Sequence, residues 1–229
     1  MPIDNAIELV LDELREPVIL SDSGDNPGGG GSGRTTQFLA TLVSSNAKNV
    51  LYGSFFDPKL AEEAHRQGLQ AKFHAVFNQE VTDHPWTRWD EKLAVNAKVI
   101  GLHSGEVVGR LGIMSGRKLS LGLCALLDIQ GIKVVIISER SQTADPIFFE
   151  MFEQDISQAH TVVVKSRGHF RAGFDPWFNE SNTYEVDTGG LTSPVLERWD
   201  FKHVPRPSFP FQAETTWKSE GQQRNKPSS

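Results

Sequence analysis

The sequence predicts an α/β fold in which a mixed sheet is flanked by helices. Three observations carry this expectation. Between residues 17 and 77, apolar runs and helical periodicity alternate as strand, helix, strand, helix, strand, the βαβαβ rhythm that closes a parallel or mixed sheet. From residue 92 to 138, strand-like segments follow one another across Gly-containing turns, the pattern of an antiparallel meander. Thr161–Val164 is a continuous β-branched run, as expected of a central strand. A chain of 229 residues with 38% hydrophobic content can bury the core this needs, and one domain over residues 1–212 is the simplest organisation.

The elements follow in order. Ile3, Ile7, Val10, Leu11 and Leu14 mark one face of an amphipathic helix that should end near the Glu16-Pro17 break. Residues 17–20 read as a buried strand that delivers a long Gly-rich loop. Phe38, Leu39, Leu42 and Val43 resume helical periodicity, with Thr35 and Thr36 as candidate caps. A strand at 49–55, a helix at 58–67 and a strand at 69–77 follow, with Gly68 where a helix C-terminus favours positive φ. Residues 79–91 form a polar and aromatic excursion with Trp86 and Trp89, a candidate docking surface together with the first helix. The meander is expected as strands at 92–102, 110–113, 120–129 and 132–138. Asp145 and Pro146 open a helix bearing Phe148, Phe149, Met151 and Phe152. Beyond Gln212 the polar, Pro-containing tail, 213–229, is expected to be disordered.

A net charge of −6 argues against a nucleic-acid partner, which would require a concentrated basic patch. The lone Cys124 rules out an intrachain disulfide and any multi-cysteine zinc motif, and reads as a core thiol. The first fifteen residues lack the pattern of a secretory signal, and no apolar run reaches the roughly 18 to 20 residues of a membrane span. The expectation is a cytoplasmic chain with no membrane partner.

Two loops could carry chemistry. Asp22 to Gly33 joins a strand to a helix through four consecutive glycines, and their backbone N–H groups could approach an anionic ligand. The spacing matches neither a Walker loop nor a dinucleotide fingerprint. The glycines could equally be a connector, with Asp22 and Asp25 capping turns. The second loop, 165–176, leaves the end of the expected central strand with Lys165, Arg167, His169 and Arg171, where open α/β sheets commonly bind ligands. Its cations suit a carboxylate, and they could also form structural ion pairs.

The stretch Pro17-Val18-Ile19-Leu20-Ser21-Asp22-Ser23-Gly24-Asp25-Asn26-Pro27-Gly28-Gly29-Gly30 resembles the opening of the C-terminal domain of the MlrC metallopeptidase family. Lys165-Ser166-Arg167-Gly168-His169-Phe170-Arg171-Ala172 resembles that family's second signature, and Asp57-Pro58, Gln142-Thr143-Ala144-Asp145-Pro146, Arg206-Pro207 and Pro210 fall in matching places. The similarity runs over about residues 16–211. It implies a zinc-dependent hydrolase of amide bonds in small peptides, built from two α/β domains. Most of the metal ligands would lie in an N-terminal domain outside this sequence, so zinc is not expected on this chain alone.

The resemblance implies catalytic roles for Asp25, Asn26 and His169, substrate binding by Gly28, Gly29, Gly30, Lys165, Arg167 and Arg171, and metal contact by Asp22 and Asp25. The expected partners are an N-terminal MlrC-type domain or a second copy, and a small peptide or carboxylate. One departure stands out, since Arg34 replaces the acid that usually closes the family's glycine loop, and a fixed cation there would repel a divalent metal. The alternative is a non-catalytic orphan or truncated paralogue domain that keeps an anion-binding cleft.

Overall fold

The computed structural model describes residues 1–82 and 87–212. In chain order the elements are α1 (Ile3–Leu11), β1 (Val18–Asp22), α2 (Gln37–Ser44), β2 (Val50–Phe56), α3 (Pro58–Gln67), β3 (Lys72–Phe77), β4 (Leu93–His103), β5 (Glu106–Val108), β6 (Lys118–Ser120), β7 (Cys124–Ile129), β8 (Ile132–Ile137), α4 (Ile147–Glu150), β9 (Thr161–Val164), α5 (Arg171–Phe174) and β10 (Thr183–Val186). An eight-stranded sheet runs β10-β1-β9-β2-β8-β7-β4-β3, and β5 and β6 form a separate hairpin. From β10 to β8 neighbouring strands are parallel, and from β8 to β3 they are antiparallel. The mixed α/β sheet is therefore present, and β9 lies at the centre of its parallel half, buried along its length.

The sheet has an apolar layer on each face. Val18, Leu20, Val50, Tyr52, Val134, Ile136 and Val163 pack with α1, α2 and α3, and the alternate residues Ile19, Leu51, Val135, Ile137, Val162 and Val164 pack with Phe148, Phe149, Phe170 and Phe174. The alternation follows from the two-residue period of a strand, which sends successive side chains to opposite faces. Cys124 is a buried core thiol, its Sγ 3.2 Å from the carbonyl oxygen of Gly122.

Several boundaries differ from the sequence expectation. Helix α1 stops at Leu11, and Leu14 is 99% exposed, because the chain must turn early to enter β1. The third strand of the βαβαβ run does not join the parallel half, since β3 pairs antiparallel with β4 at the far edge. Residues 110–113 are not a strand. Asp145 Oδ2 accepts the backbone N–H groups of Arg110 (2.7 Å) and Leu111 (2.9 Å), and Gly112 at φ +59° opens a 3₁₀ turn, Gly112–Met114. The expected strand at 120–129 is divided between β6 and β7 by Gly122 at φ +62°. Thr36 sits at the N-cap of α2 with no side-chain cap bond. The short strand β10 carries no strong sequence signal, and only its pairing with β1 defines it.

Two compact units are present, Met1–Ser193 and Pro194–Ser229. In the second, Phe201 and Phe211 meet edge to face at 5.3 Å and the Arg206 guanidinium lies 4.3 Å from the Phe211 ring centroid. The expected disordered tail and Trp86 lie outside the described residues, while Trp89 packs against Gly189. Among the described residues no helix is long and apolar enough to cross a membrane.

Candidate functional site

Because the strands from β10 to β8 are parallel, the loops that follow β1, β2, β8, β9 and β10 all emerge at one edge of the sheet. The Gly-rich loop, the cationic loop, residues 138–146 and residues 187–192 therefore meet without any long-range coincidence being needed. Lys165 is the first residue after β9, on the face shared with Tyr52 and Phe55. Its Nζ lies 2.9 Å from Asp22 Oδ2, 2.7 Å from Asp25 Oδ2, 3.0 Å from Thr35 Oγ1 and 3.2 Å from the Thr35 carbonyl. Lys165, Asp22 and Asp25 have no exposed surface. Burial alone would neutralise the ammonium, but the two carboxylates outweigh it and hold Lys165 well above the usual lysine range.

Asp25 is the most heavily bonded group of the cluster. Its Oδ1 accepts the Gly33 N–H at 2.7 Å and the Ser32 hydroxyl at 3.2 Å, and its Oδ2 accepts the Thr35 N–H at 2.8 Å and hydroxyl at 3.0 Å. Burial pushes its pKa up, but Lys165 and these backbone donors prevail and hold it below the ordinary carboxylate value. Asp22, with Thr188 Oγ1 and the Asp25 N–H as its further donors, is shifted upward by burial and by the Asp25 charge despite Lys165. The two acids thus staple the start and end of the glycine loop to the central strand. Neither opens onto a cleft, and a divalent metal could reach them only by expelling the ammonium between them. Among the described residues no group of three or more His, Cys, Asp or Glu side chains could hold a metal ion, so the residues present do not fit a zinc centre.

The glycine loop is also folded on itself. Asn26 Oδ1 accepts the Gly28 N–H at 3.0 Å, the Asn26 carbonyl accepts those of Gly29 (2.9 Å) and Gly31 (2.8 Å), and the Pro27 carbonyl accepts that of Gly30 (3.2 Å). The N–H groups expected to face an anion are spent on the turn. The glycines serve close approach instead, since a Cβ on Gly28 would lie 2.3 Å from Gln142 Oε1, and one on Gly31 2.7 Å from the Asn26 backbone.

Gln142 joins the two loops. Besides packing on Gly28, its Oε1 lies 3.2 Å from Nδ1 of the exposed His169. With the amide oxygen as acceptor, the Nδ1–H form of the ring is the one that makes this hydrogen bond. Of the other expected substrate-binding residues, Lys165 is sealed. Arg167 pairs with Glu185 at 3.2 Å in an exposed contact, and Arg171 lies over Phe170 and lines a cavity of about 310 Å³ whose walls include no residue of the glycine loop. Asn26 and His169 remain accessible.

Sequence reasoning did not anticipate Gln142 as a bridge, Arg140, which donates to the Gly31 carbonyl at 2.9 Å, or Asp90, whose Oδ1 meets Ser32 Oγ at 2.8 Å. Burial raises the Asp90 pKa to about 6. Gln142 lay inside a recognisable motif, while Asp90 and Arg140 had no signal beyond their residue type.

The MlrC C-terminus family profile matches residues 20–203. The chain belongs to the MlrC C-terminal family. It is 27% identical over 168 residues to Microcystinase C from Sphingomonas sp., covering 73% of this chain and 32% of that protein. The chain thus spans about a third of the length of that curated relative. It also superposes with a TM-score of 0.76 on the crystal structure of a protein named "Putative metallopeptidase" from Mesorhizobium sp. BNC1, at 22% identity, covering 95% of this chain and 42% of that one. That likeness shows a shared fold.

Proposed function

We propose that this MlrC C-terminal domain is the substrate-positioning half of an amide hydrolase, with the metal chemistry of the family carried by residues outside the described part of this chain. The observation that supports this reading most is the linkage of the two signature loops. Lys165 fixes the glycine loop to the central strand, and Gln142 ties that loop to His169 at the exposed edge of the sheet. Asp22, Asp25 and Lys165 are positioning residues that act through the loop. His169 and Asn26 are the groups that meet the substrate.

His169, exposed and held against Gln142, presents an imidazole at the edge where the two loops meet, a group suited to general acid–base work at a scissile amide. Asn26 keeps its side-chain N–H₂ free of hydrogen bonds among the described residues and can donate to a substrate carbonyl. Zinc, by resemblance, would supply the activated water in the assembled enzyme. The test is to mix this chain with the N-terminal segment of Microcystinase C and follow cleavage of short peptides. His169→Ala should lower the rate by about 100-fold while leaving unfolding unchanged. An unchanged rate in that variant, or equal cleavage by this chain alone, would refute the reading.

A further inference from the structure

Two arginines beside the glycine loop have no acidic partner among the described residues. Arg34 places its guanidinium 4.6 Å from the Phe56 ring centroid. Arg140 donates once, from Nη1 to the Gly31 carbonyl, and its Cγ lies 4.0 Å from where a Cβ on Gly33 would be, beside Phe56 Cβ at 3.2 Å. Neither forms an ion pair among the described residues, in a chain with 29 acidic residues against 23 Lys and Arg. Asp90 feels the charge of Arg34, but its carboxyl is turned to Ser32. By contrast, Arg110 is paired with Glu150 and Arg167 with Glu185.

From this we infer that Arg34 and Arg140 form a carboxylate-binding subsite beside the glycine loop. The proposal rests on the substrate-facing role of this edge and names the class of substrate, a peptide with a free carboxylate at its C-terminus or on an acidic side chain. Two features favour it. The Phe56 face holds the Arg34 fork in place without consuming its donors. The Arg140 bond to Gly31 leaves most of its donors free and ties its position to the loop. Planar guanidinium groups match a carboxylate in two-point hydrogen bonding.

The site also accounts for the cation at position 34. A positive group repels a metal there, but it attracts the anionic end of a substrate. Arg167 and Arg171, expected from sequence to take this role, are engaged elsewhere.

The experiment is a titration of the full chain at low salt with N-acetylalanine, N-acetylalanine amide and inorganic phosphate, followed by amide NMR shifts and calorimetry. The free acid should bind in the millimolar range and shift the resonances of residues 26–34, with the uncharged amide weaker by about tenfold or more. An Arg34→Met/Arg140→Met variant with unchanged circular dichroism should lose about tenfold or more of the acid affinity. Equal binding of acid and amide, an unaffected double variant, or no binding of the acid would each overturn the subsite. Phosphate binding more tightly than the acid would overturn the carboxylate assignment. The titration needs neither metal nor hydrolysis, so its failure leaves the hydrolase reading to its own test.

Discussion

Replacing Lys165 by Met removes the cation buried between Asp22 and Asp25, and the consequences follow from what each acid keeps. Asp25 retains the donors Gly33 N, Ser32 Oγ, Thr35 N and Thr35 Oγ1, whereas Asp22 keeps Thr188 Oγ1 and the Asp25 N–H. Two carboxylates with no exposed surface would then face one another without a counterion. Breaking a buried pair in this way costs about 3–5 kcal/mol, a large share of the about 5–15 kcal/mol by which a domain is stable. Urea unfolding at pH 7, followed by tryptophan fluorescence and far-UV circular dichroism, should show that loss as a lower midpoint with an unchanged slope.

The pH dependence supplies a sign. In the wild type the Asp25 pKa is lowered, so its contribution is present above the unfolded value and fades as pH falls through the folded one. Without the ammonium, burial and mutual repulsion should push both acids upward, so the variant is expected to gain stability as pH falls from neutrality toward about 4. The two stability curves should converge on acidification. A triple variant, Asp22→Asn/Asp25→Asn/Lys165→Met, should recover part of the loss because it leaves no buried charge. A loss under about 1 kcal/mol in Lys165→Met at pH 7, or a gap that widens toward pH 4, would refute the reasoning.

Further outcomes follow from the same contacts. Asp90, 6% exposed and held at a pKa of about 6, loses stabilisation as pH rises from the unfolded value near 3.8 through 6. Asp90→Asn should therefore match the wild type near pH 4 and exceed it by about 1–2 kcal/mol above pH 6.5, and identical pH slopes in urea melts would rule this out. Gly24 and Gly28 should respond differently to alanine. A Cβ on Gly24 would lie 1.6 Å from the Gly189 carbonyl oxygen, a backbone atom, so Gly24→Ala should cost several kcal/mol, about 3 or more. At Gly28 the obstacle is the flexible end of Gln142, so Gly28→Ala should cost under about 1 kcal/mol yet free His169 from Gln142. Thermal melts and the His169 imidazole resonances separate the two effects.

The sheet was legible where local patterning decided it. The β-branched run of β9 could only be a central strand, and the alternating cores on its two faces follow from strand periodicity. Position within the sheet was not legible for β3, because the βαβ rhythm does not record which edge a strand joins, and β3 found β4. Residues 110–113 misled because a distant carboxylate, Asp145, captured two of their N–H groups and set the turn. Both signature loops were visible in the sequence, and the structure brings them together at the predicted edge.

The direction of their side chains was not visible. Lys165 follows Val164 in strand alternation and so points into the face where Asp22 and Asp25 converge, which makes three polar motif residues a buried clamp. Thr35, expected to cap a helix, donates to Asp25 instead. Such competition between uses of one hydroxyl is settled only when the chain is folded.

Elemental analysis and zinc calorimetry of this chain, with Lys165→Met alongside, put the clamp to the most direct test. The geometry predicts no stoichiometric zinc on the wild-type chain, because an ammonium already occupies the space between Asp22 and Asp25. One zinc per chain in the wild type, abolished by Asp22→Asn or Asp25→Asn, would contradict it and return those acids to the metal site.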